Sequence, residues 1–138
     1  MEEEICFYGH INIRAMHERT IELTKAREIT LRGDCIIGVN ASKACMDLSD
    51  AFKRRLRDKI SVVRMSLVVG EHVYGFDGYG SSSLILTDKH DVVMRKSGFV
   101  CPRTVAIRCN KASNNIPKDM VQLLRDPTTK GILRMNVE

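Results

Sequence analysis

Hydrophobic and polar positions change period along the chain, and each change predicts an element. Ile11, Ile13 and Ala15 alternate with Asn12, Arg14 and Met16, and Ile21 and Leu23 alternate with Glu22 and Thr24. A period of two predicts strands. The polar His17-Glu18-Arg19 between them predicts a turn or a bulge. Ile29–Leu31 and the apolar run Cys35–Val39 predict two more strands, joined through Arg32-Gly33-Asp34. Glycine accepts positive φ and aspartate bonds nearby amides, which suits a sharp turn. From residue 42 to 58 the spacing becomes helical, with Leu48, Phe52 and Leu56 on one face and Asp47 or Ser49 as the cap. Residues 61–69 return to strand character. Residues 70–83 interleave Gly70, Gly75, Gly78 and Gly80 with Tyr74, Phe76 and Tyr79, which predicts a crossover loop. Strands follow at 84–86, 92–94 and 104–107. A second helix is expected over 117–125, with Pro117 in its first turn, Met120, Leu123 and Leu124 as its stripe, and Pro127 beyond its end. Residues 132–137 predict a last strand.

The two helical segments align without a gap at an offset of 68 residues. Lys43, Ala44, Leu56, Arg57 and Asp58 lie over the identical Lys111, Ala112, Leu124, Arg125 and Asp126. The strand Ile37–Val39 lies over Val105–Ile107. Further upstream, Leu23 to Arg32 resembles Leu86 to Arg95 at an offset of 63, which gives the second copy five extra residues. The expected fold is α+β: one domain over 1–138 with an internal repeat, approximately 8–69 and 72–137. Each half reads β-β-β-α-β. Two such halves can close into a small pseudo-twofold barrel, which removes exposed edges. The step from Ile29 through Gly33-Asp34 to Val39 resembles the turn of the cradle-loop barrels, which are also built by duplication. Lys96-Ser97-Gly98-Phe99 stands at that place in the second copy.

Composition narrows the class without naming a function. The chain has 138 residues, 43 % apolar and 28 % charged, which excludes collagen, coiled-coil rods and disordered tails. No stretch approaches the roughly 20 apolar residues of a membrane helix, and Met1-Glu2-Glu3-Glu4 is acidic where a secretory signal is basic. A cytoplasmic protein with no membrane contact is expected. Cys6, Cys35, Cys45, Cys101 and Cys109 form no C-x-x-C pair, so neither a metal site nor a cofactor is expected, and buried thiols are the simplest reading.

Several pieces together point to a family. Tyr8-Gly9-His10, His17 to Glu22, Arg32 to Val39, Arg95-Lys96-Ser97, Arg103-Thr104 and Lys111-Ala112 resemble an archaeal family, number 371 of the domains of unknown function. The resemblance spans nearly the whole chain. It implies an archaeal intracellular protein and carries no activity.

Candidate chemistry falls into two sets. His10, His17, Asp34 and Cys35 are the only group with the variety for catalysis, as a Cys-His nucleophile pair or a His/Asp/Cys site between the halves; a structural role in turns and core is the simpler reading, and ligand binding is a third. Arg32, Arg95 and Arg103, with Lys96, sit near turns where a planar guanidinium can fork an anion. The run Lys53-Arg54-Arg55, Arg57, Lys59, Arg64 is the densest charge on the chain, opposed only by Asp58. With a net charge of +5, the leading expectation is a non-enzymatic binding protein for an anionic partner, RNA or DNA ahead of a phosphorylated small molecule. The alternative is a small enzyme built on the His/Asp/Cys set.

Overall fold

The computed structural model describes residues 1–58 and 61–138. Its elements run β1 (Glu2–Tyr8), β2 (Thr20–Thr24), β3 (Ile36–Gly38), a 3-10 turn (Cys45–Asp47), α1 (Asp50–Leu56) and β4 (Val62–Val69). The same order follows again: β5 (His72–Tyr79), β6 (Asp91–Arg95), β7 (Thr104–Ala106), a 3-10 turn (Ser113–Asn115), α2 (Lys118–Leu124) and β8 (Lys130–Val137). The class is α+β, as the patterning predicts.

Two four-stranded sheets enclose the core. One is antiparallel, in the order β1-β8-β4-β5; the other has the order β3-β2-β6-β7, antiparallel at its centre and parallel at each flank. Strands of the two halves therefore interleave in the first sheet and meet edge to edge in the second. At two corners the sheets touch through single bridges, Tyr8 with Val39 and Tyr79 with Ile107. The ladders are not continuous there, so the strands form two sheets rather than a closed barrel.

Alternation decides which residues the sheets bury. Ile5 and Phe7 of β1, Leu133 and Met135 of β8, and Val63, Met65 and Leu67 of β4 all face the core. The Phe7 ring lies where Gly38 and Gly131 have no side chain. α1 adds Phe52 and Leu56, and α2 adds Met120 and Leu124. Ser49 caps α1, its Oγ accepting from the Phe52 amide at 3.2 Å. Pro117 stands at the cap of α2, one residue earlier than the first turn. Both helices are seven residues long, and each is preceded by a 3-10 turn. Asp47 and Asn115 close these turns by accepting the amides of Ala44 and Ala112 at 2.9 Å.

Each helix packs on the other half of the chain. The last turn of α2 runs over Gly9, where a Cβ would strike the carbonyls of Leu124 and Asp126. The last turn of α1 runs over Gly80 in the same way, against the Leu56 carbonyl. The 3-10 turns cross over too. Ser113 Oγ donates to the carbonyls of Thr20 and Cys35, and Cys45 Sγ donates to the carbonyl of Arg103.

Four expectations need correction. The Gly-aromatic segment 74–80 is not a crossover loop but the strand β5, a hairpin partner of β4 through the exposed Gly70 at φ +59°. The alternating segments 11–15 and 84–86 are not strands. Ile13, Ala15, Leu84 and Leu86 are buried in extended loops, where Ala15 and Leu86 turn the chain at φ 51° and 57°. Nor does the second half carry extra residues: its loop from β6 to β7, 96–103, is shorter than the 25–35 loop of the first. Ile29–Leu31 lies in that longer loop and forms no strand.

Candidate functional site

The four residues of the His/Asp/Cys set do not converge on one point. His10 is buried, its Nδ1 accepting the Asn12 amide at 3.0 Å while its Nε2 meets Glu28 at 3.1 Å. It lines a cleft of about 360 Å³ with Arg27, Glu28 and Asn40. The Nδ1 of His17 accepts from the amides of Arg19 and Thr20, both at 3.1 Å, so the ring forms the turn that starts β2. His17 shares a separate, shallow pocket with Asp34. Asp34 has one buried oxygen, Oδ1, without a hydrogen-bond partner; the Arg14 guanidinium is 3.9 Å from it. Cys35 joins neither histidine. Its Sγ lies 3.5 Å from Glu22 Oε1, and burial, then the Glu22 charge, push its thiol up to about 11. It is protonated at neutral pH and a poor nucleophile.

Cys35 belongs instead to a polar layer on the outer face of the second sheet. β2 turns Glu22 outward while Ile21 and Leu23 face the core; β6 does the same with Asp91 and Arg95 around Val92 and Met94. Arg103 Nη1 bridges Glu22 and Asp91 at 3.2 Å each. Glu22 is buried, and that burial, followed by the Asp91 charge, raises its pKa despite Arg103. The same two carboxylates keep Arg103 firmly protonated against the opposing effect of burial. Arg95 lies over the Phe99 ring, 5.0 Å from its centre, and donates to Thr104 Oγ1 at 2.9 Å and toward Cys101 Sγ at 3.4 Å. Burial alone would raise the Cys101 thiol. Hydrogen bonds from Thr104 and the Arg103 amide, then Arg95, outweigh it and bring it down to about 7. Glu22 and Asp91 open onto a cleft of about 570 Å³ beside Thr24, Thr30 and Gly33. Among the described residues, no three His, Cys, Asp or Glu side chains are placed to hold a metal ion.

The basic residues divide differently. Arg103 is neutralised within this layer, and Arg95 lies beside it; Arg32 is exposed on the preceding loop. On α1, Arg54 and Arg55 are exposed. Lys53 Nζ bonds the Met46 carbonyl at 2.8 Å, and Arg57 holds the carbonyls of Leu84 and Ile85 at 2.9 and 2.6 Å. These acceptors are neutral, so the charges are held in place and not cancelled. Lys59 of the same run lies outside the described residues. Arg64 sits on β4, paired with Glu138 at 3.1 Å.

Comparison with known proteins places this arrangement. The family model described as "Domain of unknown function (DUF371)" matches residues 5–138. The chain belongs to the DUF371 family. An archaeal relative, "Uncharacterized protein MJ0206" of Methanocaldococcus jannaschii, is 38 % identical over 130 residues, covering 91 % of this chain and 93 % of its own. Among the described residues, no helix is long and apolar enough to cross a membrane.

In this DUF371 chain, sequence reasoning passed over Glu22, Asp91 and Cys101. Glu22 was visible only as the polar partner in an alternation. One signal was available: an acidic residue between Ile21 and Leu23 on a strand whose every position proves buried. Its partner Arg103 is 81 residues away in sequence, a distance no local pattern spans.

Proposed function

We propose that this chain is a cytoplasmic binding protein for an anionic partner, a nucleic acid, engaged through the outer face of α1. The observation supporting this reading is the imbalance of charge there. Among the described residues, Lys53, Arg54, Arg55 and Arg57 form no ion pair, whereas Lys43, Arg64, Arg103 and Arg134 on the sheets and their margins each have a carboxylate within 3.2 Å. A cluster of unneutralised cations attracts polyphosphate and releases its counterions on binding. Fluorescence anisotropy with labelled single-stranded RNA and duplex DNA across a salt series tests it. Affinity should fall steeply with salt. Arg54→Gln and Arg55→Gln should each reduce the logarithmic slope by about 0.7 for a single strand and about 0.9 for a duplex. Arg57 is a poor probe, because its loss also frees two carbonyls. Binding and slope unchanged in both variants would overturn the reading.

A further inference from the structure

A second basic feature lies at the other helix and has a different shape. The loop 14–18 and α2 enclose a cleft of about 480 Å³, within the range of about 300–1,000 Å³ typical of small-molecule sites. Arg14, Lys118 and Arg125 line it against one acid, Glu18. Arg125 is anchored by its Nε on the Ile13 carbonyl at 3.1 Å, which leaves its two terminal nitrogens for another acceptor. Arg14 has only the Met16 sulfur at 3.5 Å and Asp34 at 3.9 Å. Lys118 is exposed and, among the described residues, in no ion pair. The floor is apolar, formed by Ala15, Ile116 and Val121, and two amides, Asn114 and Gln122, reach the same space. The corresponding positions at the α1 end are Asp50 for Lys118 and Ile85 for Arg14, so that end lacks this set of cations.

We propose that this cleft binds a nucleoside monophosphate group, its phosphate held by Arg14, Lys118 and Arg125 and its base laid on the apolar floor within reach of Asn114 and Gln122. Two guanidiniums and an ammonium supply the forked and point-charge donors a phosphate needs. The amides offer both donors and acceptors to a base edge. The site is separate from α1 and does not rest on the reading given for that helix. The same chemistry is offered by a free nucleotide and by the phosphorylated end of a strand.

Isothermal titration of the full chain with adenosine 5′-monophosphate tests it. Saturable one-to-one binding is expected, displaced by inorganic phosphate and weaker for adenosine. Lys118→Gln and Arg14→Gln should each weaken binding about tenfold, while Arg54→Gln should leave it unchanged. Arg125 is spared because it also holds the Ile13 carbonyl. No saturable binding at millimolar ligand, wild-type affinity in both cleft variants, or loss of binding in Arg54→Gln would each overturn the proposal. If the site binds, displacement by a 5′-phosphorylated oligonucleotide assigns the ligand to a strand end, and failure to displace assigns it to the free nucleotide; both outcomes support the cleft.

Discussion

The two halves run through the same order of elements and differ in the side chains that hold them. His17 accepts the amides of Arg19 and Thr20 at the start of β2; Asp88 accepts those of His90 and Asp91 at the start of β6. His10 accepts the amide two residues on, and so does Ser81. Cys45 and Ser113 each reach across to a carbonyl of the opposite half. Left-handed residues are paired as well, Ala15 with Leu86 and Asn40 with Arg108. A feature found at both places serves the fold, so two chemically attractive histidines and four strained positions are accounted for as architecture. A feature found at one place needs its own reason. Glu22 faces Val93 across the β2–β6 pair, and the Glu22–Arg103–Asp91 layer has no counterpart.

That comparison can be broken in several ways. The largest effect should come from Phe7, which fills the space left by Gly38 and Gly131 and has Gly78 as its opposite number on β5. Phe7→Ala should lose about 4 kcal/mol in urea denaturation; a loss below about 1 kcal/mol would show that the core closes without the ring. Next comes the crossing hydroxyl. Ser113→Ala leaves the carbonyls of Thr20 and Cys35 without this donor and should cost about 2 kcal/mol, whereas Cys45→Ser keeps a donor and should stay within about 1 kcal/mol. Equal losses would mean that the two crossings are not alike. The smallest effect concerns Glu22. Its folded pKa lies above the ordinary 4.5, so between those two values the folded state binds more protons than the unfolded one, and stability falls as pH rises through that window. Glu22→Gln should remove this fall in denaturation profiles run from roughly pH 4 to 8. Parallel profiles for the two proteins would reject a perturbed carboxyl.

Local physics was legible in the sequence and distant physics was not. Helical spacing at Leu48, Phe52 and Leu56 marks residues that are all buried, although the 3-10 turn ends before Leu48 and α1 starts after Ser49. In α2 the stripe holds for Met120 and Leu124, while Leu123 is 39 % exposed. Alternation at Ile13 and Ala15 correctly predicts burial but not a ladder, since a period of two requires extended chain and not a paired neighbour. Gly75 and Gly78 read as loop residues, yet β5 lies along β4, and at Gly78 the Cys109 sulfur and the Ile107 carbonyl lie close by. At the site, the density of charge on α1 was visible and its lack of carboxylate partners was not. The α2 cleft was invisible because Arg14 and Arg125 meet only through the winding of the chain.

The packing of each helix over the opposite half's glycine also bears on how the chain reaches its native state. Each helix packs on strands of the opposite half, α1 on β8 and α2 on β3 and β4, and β8 lies between β1 and β4, so a half-length fragment lacks part of its core. Contacts between residues this far apart in sequence make for slow folding. The chain should fold and unfold in one cooperative step. Residues 1–70 and 71–138 made as separate chains should each remain unstructured, and become ordered only when mixed.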